Sequence, residues 1–246
     1  MSYLFYILLG LTPSIIWLLF YLRKDVHPEP KKMVLKIFFW GMLITVPVFL
    51  IEVGISGELA KLFPSILNQL LYWFIGIALV EEALKYLIVK DKVLKNPEFD
   101  EPVDIMLYMI IAALGFAALE NIFVLLPGEK AFLFREAISI TFIRFIGATF
   151  LHALCSGTVG YFLALSFFEP KKRLKLIAEG LGIATILHGL FNISIIEIGE
   201  SLINKDFSLF IFLLILLIVI LAGLALFVSS GFRKLKKLKS ICKIKT

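Results

Sequence analysis

Glu81, Glu82 and Lys85 crowd into little more than one helical turn inside an apolar run that extends from Ile66 to Val89. Further along, Glu120-Asn121, then His152 and Ser156, then His188 and Asn192 interrupt three more apolar runs, and Arg144 shares the run of His152. An ionised side chain at the centre of a membrane helix costs roughly 2.5–3.5 kcal/mol on the insertion scale, so such a residue is a functional-site hypothesis by default. Carboxylates and imidazoles in that setting are groups that transfer protons, hold cations or polarise water. Hydrogen-bonding between helices is a blander role open to each one singly. It accounts poorly for all of them together.

The spacings add to this reading. Glu81 and Lys85 are i,i+4 and Glu82 and Lys85 are i,i+3, so both carboxylates can reach the lysine along one helix. Phe116 and Glu120, His152 and Ser156, and His188 and Asn192 are also i,i+4 pairs. Each of four successive apolar runs can thus present a polar stripe to a common centre. Cys155 shares the run of His152, but a buried thiol is by default a small core hydrophobe.

The elements that must position these stripes follow from composition. The chain of 246 residues is 60% hydrophobic, with a mean hydropathy of +0.97; soluble domains run at about 45–50% apolar. The expected fold is an all-α polytopic membrane protein without a soluble domain. Seven apolar segments reach or exceed the ~20 residues that a crossing needs, at about 3–22, 33–55, 66–94, 103–126, 137–168, 174–198 and 207–228. Pro64 opens the third, Asn96-Pro97 stops it and Pro127-Gly128 closes the fourth. The fifth is long enough to tilt strongly. The seventh carries no charge and is expected to face lipid. The whole chain, 1–246, reads as one transmembrane domain with the polar core at about 64–198 and a basic tail at 229–246. Cys155 and Cys242 fall in a span and in the tail, which argues against a disulfide between them.

Arg23, Lys24, Lys31 and Lys32, then Lys90, Lys92 and Lys95, then Lys171, Lys172, Arg173 and Lys175, and finally the tail from Arg233 to Lys245 fall in alternate loops. The positive-inside rule then sets the N-terminus outside and the C-terminus inside. The net charge of +6 is accounted for by topology and by contact with anionic lipid, so no nucleic-acid partner is expected. At ~1.5 Å per residue, His188, His152 and Glu120 lie roughly 21, 24 and 26 Å from the inner ends of their spans. Glu81 reaches a similar depth, roughly 20 Å, only if its span continues to about Leu94. Glu52 and Glu197, near outer span ends, are expected to be solvated.

Glu81-Glu82-x-x-Lys85, Phe116-x-x-x-Glu120-Asn121, His152-x-x-x-Ser156 and His188-x-x-x-Asn192 resemble, in order, the motif set of PrsW-type intramembrane proteases. That family is related to the CAAX prenyl proteases and bacteriocin-processing enzymes. Lys85 and Glu120 stand where the CAAX branch typically has arginine and histidine, so the likeness is to the PrsW branch and away from prenylated substrates.

The resemblance implies hydrolysis of a peptide bond in a membrane-anchored, single-span protein, such as an anti-sigma factor, in a prokaryotic cell membrane. It implies catalytic roles for Glu81, Glu82, His152, His188 and Asn192, supported by Lys85, Glu120, Asn121, Arg144 and Ser156. Glu81 or Glu82 would act as general base. His152 and His188, with Glu120 or Glu81, form a nitrogen and oxygen set that suits Zn²⁺, while glutamate and histidine acting on water without metal is the other route. The alternative to a protease is a transporter that uses the Glu/His cluster as a proton or cation relay, against which the uninterrupted spans count mildly. Oligomeric state is not legible in the chain.

Overall fold

A computed structural model describes residues 2–24, 27–62, 65–96, 101–126 and 132–238. Pro64, Pro97, Pro127-Gly128, Cys242 and the tail beyond Leu238 lie outside the described residues. Among the described residues the fold is all-α, and six helical runs there are long and apolar enough to cross a membrane.

Helix α1 spans Tyr3–Leu22 and α2 spans Lys31–Leu62. The third run is divided into α3 (Ser65–Leu71), a π-helical segment (Tyr72–Leu79) and α4 (Val80–Lys92). Then follow α5 (Pro102–Leu125), α6 (Phe134–Ile146), α7 (Ala148–Phe168), α8 (Arg173–Ile203) and α9 (Phe207–Leu235).

The bundle is built around α5. Its start is fixed by Pro102 in the first turn and by Asp104, whose carboxylate accepts from the Glu101 amide at 2.8 Å. From Ile105 to Ala118 nearly every side chain has no accessible surface. Lipid gives helices no hydrophobic drive to associate, so close packing of small residues has to hold them. Gly10 of α1 lies against Ile122, Gly41 of α2 against the Ala112 carbonyl, and Gly160 of α7 against Met106; a Cβ at Gly10 or Gly160 would stand 2.8 or 2.7 Å from α5 atoms. Gly115 of α5 returns the contact on the Phe38 carbonyl of α2. Three helices therefore touch α5 backbone to backbone. Gly182 of α8, by contrast, has open space around it.

Two of the expected spans are interrupted. The fifth is no single tilted helix: it breaks at Gly147, whose φ of −103° and ψ of −99° are not helical. A Cβ there would lie 2.9 Å from the Ile143 carbonyl, and the Trp17 indole N–H donates to the neighbouring Phe145 carbonyl at 2.9 Å. The third widens into π-helical turns that end just before Glu81. Phe74 of this segment packs on Gly189 of α8, where a Cβ would come within 2.5 Å of the ring. Such widened turns concentrate at functional sites. Both interruptions adjoin the residues that carry the chemistry.

Helix α9 packs on α7 and α8 through a stripe of Leu213, Leu217, Ile220, Leu224 and Val228, while Ile211, Phe212, Ile215, Ile218, Val219 and Leu226 are exposed. At one end of the bundle Lys236 donates to the Lys24 carbonyl, Tyr108 to Glu29 at 2.5 Å, and His27 lies 2.8 Å from Glu101. At the other, Tyr6 near the N-terminus donates to the Phe132 carbonyl at 3.1 Å. The start of α1 and the end of α9 thus lie at opposite ends of the bundle.

Candidate active site

On an ideal helix Glu81 and Glu82 point about 100° apart, and Lys85 falls at about 40° from Glu81, between the two. Helix α4 uses this geometry. The Lys85 ammonium, wholly buried, donates to Glu81 Oε2 at 2.8 Å and to Glu82 Oε1 at 3.0 Å. Its third donor reaches across to α7 and meets His152 Nδ1 at 3.0 Å, with the Phe116 ring of α5 packed 4.1 Å away. An ammonium has only donors to give, so Nδ1 of His152 accepts. The proton is then on Nε2, which faces Glu120 Oε2 at 2.8 Å.

Beyond His152 the network runs outward through Glu120 of α5. Arg144 Nη2 lies 3.0 Å from Glu120 Oε1, and Arg144 Nε donates to Asn121 Oδ1. The Asn121 amide in turn donates to Thr149 at 3.0 Å and to the Gly10 carbonyl at 3.3 Å. Arg144 is the third-last residue of α6, just before the break at Gly147. Asn121 thus holds the Arg144 side chain by a hydrogen bond.

Ser156, one turn after His152 on α7, donates to Glu82 Oε2 at 2.6 Å. His188 of α8 completes the cluster, with its ring perpendicular to that of His152 at 5.0 Å. Its Nδ1 stands 3.3 Å from Glu82 Oε1 and its Nε2 3.9 Å from Glu81 Oε2. All four expected motifs therefore meet, and Glu81, Glu82, His152 and His188 each bring a ligand-type atom to within 4.8 Å of the others. Glu120, grouped with the histidines as a ligand in the sequence reading, stands instead on the far side of the His152 ring.

The two carboxylates of the first motif have different surroundings. Glu81 lines a cavity of about 300 Å³, together with Glu120, Arg144, His152, His188 and Asn192. Glu82 lies behind it, with no accessible surface, held by Lys85 and Ser156. The apolar part of the cavity wall comes from Trp73 and Ile77 of the π-helical segment and from Phe191 and Ile195 of α8.

One residue was missed. Glu52 of α2, expected to be solvated, is half-buried and lines the same cavity, as it does an adjoining one shared with Glu81, Glu120 and Phe116. Its position near a span end gave no signal, because only the packing of α2 on α5 aims it inward. Glu197 is exposed as expected. Cys155 is wholly buried and takes no part.

Among the described residues the buried side-chain polar atoms without an aligned hydrogen-bond partner are Ser14 Oγ, Glu52 Oε1, Arg144 Nη2, Thr185 Oγ1 and His188 Nδ1. Glu52, Arg144 and His188 all line the one cavity. An unsatisfied buried polar group costs about 1–3 kcal/mol, more when charged, and native proteins keep few of them. Arg144 Nη2 and His188 Nδ1 still face the carboxylates of Glu120 and Glu82 as ion pairs.

Comparison with known proteins agrees with the geometry. Residues 29–224 match the family model described as "PrsW family intramembrane metalloprotease". Protease PrsW of Geobacillus kaustophilus is 30% identical over 185 residues, covering 74% of this chain and 76% of the relative. Protease PrsW of Oceanobacillus iheyensis is 28% identical over 218 residues, 89% of this chain and 91% of the relative. The Bacillus subtilis protein of that name is 30% identical over 188 residues, 74% and 79% respectively. No solved structure matches the chain. With apolar spans enclosing a buried glutamate and histidine cluster, the chain is a multi-pass bacterial membrane protein and an intramembrane peptidase, and it belongs to the PrsW protease family.

Proposed function

We propose that the enzyme hydrolyses a peptide bond in a single-span membrane protein, for which an anti-sigma factor is the candidate class, and that the cavity beside Glu81 is where it does so. The observation that carries this reading is the convergence of Glu81, Glu120, Arg144, His152, His188 and Asn192 on that one cavity. Orientation with the N-terminus outside, from the distribution of basic loops, puts the cavity in the outer half of the bilayer. A substrate would then be cut near its outer end.

In this reading Glu81 is the general base. It is the carboxylate of the pair that borders the cavity, and the Lys85 ammonium holds it in place. Glu82 holds Lys85 from behind and keeps it between the carboxylates. His152 is held in one tautomer, between Lys85 and Glu120, and orients the reacting water with His188. Arg144 Nη2 and the Asn192 amide, both on the cavity wall, are the donors available to the oxyanion that forms when water adds to the scissile carbonyl. The proton taken by Glu81 leaves with the new amine.

The family description implies a metal, and the donors suit one in kind. Two imidazoles and two carboxylates are a nitrogen and oxygen set for Zn²⁺, and His188 Nδ1 has a lone pair or proton with no aligned partner. Glu81, Glu82, His152 and His188 would hold it, and it would supply a polarised, more acidic water. Lys85 already donates to three of those four residues. A metal ion and the ammonium would therefore compete for the same lone pairs, and loading the site with metal would displace Lys85. Oligomeric state enters none of these roles.

The substrate class is tested by presenting one cleavable sequence in two forms to the purified enzyme in liposomes, once within a single-span protein and once as a soluble peptide. Cleavage of the spanning form alone supports the reading. Equal cleavage of both forms contradicts it.

A further inference from the structure

Sharing no lining residue with that cavity, α1, α9 and the α6–α7 junction enclose a groove of about 570 Å³. Its deep wall is aromatic. Trp17 stacks on Phe150 with ring centroids 4.2 Å apart and an interplanar angle of 12°, and on Phe145 at 5.3 Å. Phe232 and Tyr21 continue the wall towards the end of the bundle where α1 and α9 finish.

At that end the groove opens between Lys24, Arg233 and Lys236. The first comes from the loop after α1 and the others from the last turn and cap of α9, so the fold, not the sequence, assembles the trio. Lys236 is fixed there by its bond to the Lys24 carbonyl, and the Lys24 ammonium rests 4.8 Å over the Phe20 ring. None of the described lining residues is acidic. The sequence beyond Leu238 continues with further lysines, which add to the positive charge and make the tail a poor occupant. Three like charges held together are unfavourable until an anion joins them.

We infer that this groove is a binding site for one anionic phospholipid, whose phosphate sits between Lys24, Arg233 and Lys236 and whose acyl chain lies along Trp17, Phe150 and Phe232. Each half of the site matches one half of that ligand. A basic residue at a membrane surface attracts anionic lipid by an amount that corresponds to several-fold in affinity. Stacked aromatic rings offer the chain a rigid apolar wall. The site does not depend on the catalytic reading.

Native mass spectrometry of the purified full-length protein tests this, with phosphatidylglycerol and phosphatidylcholine of identical acyl chains and glycerol phosphate as probes. The wild type should retain one phosphatidylglycerol, at least tenfold more tightly than phosphatidylcholine, and should not retain glycerol phosphate. The combined Lys24→Gln, Arg233→Gln and Lys236→Gln variant should lose that preference. Ala225→Trp, which fills the groove and leaves the trio intact, should lose the bound lipid while melting within a few degrees of the wild type. A Lys171→Gln, Lys172→Gln and Lys175→Gln variant, which removes as much charge elsewhere, should bind as the wild type does. The site is overturned if the first variant keeps its preference, if the control loses as much, if folded Ala225→Trp retains the lipid, or if glycerol phosphate is retained as tightly.

Discussion

Lys85 Nζ stands 3.0 Å from Nδ1 of His152, on a different helix, while it also holds both carboxylates of its own. One ammonium thus ties α4 to α7 and sets which nitrogen of the histidine carries the proton. Removing one partner of a buried ion pair typically costs about 3–5 kcal/mol, because the other charge is left uncompensated. Lys85→Met leaves two such carboxylates. It should lower the thermal midpoint of the purified protein and abolish cleavage, whereas Lys171→Met, on an exposed turn, should change neither. A Lys85→Met variant as stable as the wild type would show that the network does not hold these helices together.

Metal dependence separates the two routes that the donor set allows. If Lys85 keeps its place during turnover, the purified enzyme retains full activity after chelation and verified removal of metal. If a metal displaces Lys85, activity falls to background on chelation and returns on adding Zn²⁺. Because the described geometry commits three donor residues to Lys85, the expected outcome is activity that survives metal removal. Loss and zinc-specific recovery would contradict it.

Ser156 gives Glu82 a hydrogen bond at 2.6 Å in a fully buried setting. Hydrogen bonds to charged groups contribute about 1.5–3 kcal/mol. Ser156→Ala should destabilise the protein by about that amount and reduce kcat, with KM nearly unchanged, since Ser156 does not border the cavity. Ser156→Thr, which keeps the hydroxyl, should recover part of both losses. A rise in KM without loss of kcat would place Ser156 in substrate binding instead.

Asn121 and Glu120 hold Arg144 from two sides. Asn121→Ala should free the guanidinium and lower kcat by roughly 10-fold to 100-fold, less than the roughly 100-fold to 1,000-fold that removing a transition-state donor outright costs. Asn121→Asp, which keeps the acceptor, should lose less. Equal losses in the two variants would detach Asn121 from the positioning of Arg144.

Much of the site was legible in the sequence because polar residues stand out against apolar spans. Glu81, Glu82, Lys85, Glu120, Asn121, Arg144, His152, Ser156, His188 and Asn192 interrupt hydrophobic runs, and all of them join the network or line its cavity. The need for α4 to run past Val89 was legible from depth alone, and the helix does continue to Lys92. Glu52 was not legible, since an acidic residue near a span end has an ordinary home in water, and its inward aim depends on how α2 crosses α5. The π-helical turns at Tyr72–Leu79 and the break at Gly147 were not legible either. Both lie in sequences apolar enough to read as plain helix, and both are set by contacts with other elements, Phe74 on Gly189 and Trp17 on the Phe145 carbonyl. The different surroundings of Glu81 and Glu82 required the structure, because periodicity gives their relative angle and not what each one faces.

Glu81→Gln tests the central claim most directly, because it removes the carboxylate that borders the cavity while an amide oxygen can still accept from Lys85. The measurement is the initial rate of cleavage of a single-span substrate by purified enzyme in liposomes, beside the thermal midpoint of the same preparation. The account predicts a folded protein, within a few degrees of the wild type, whose cleavage rate is at least 1,000-fold lower, roughly 4 kcal/mol in transition-state stabilisation. A folded Glu81→Gln enzyme that cleaves at the wild-type rate would contradict the assignment of this cavity as the active site.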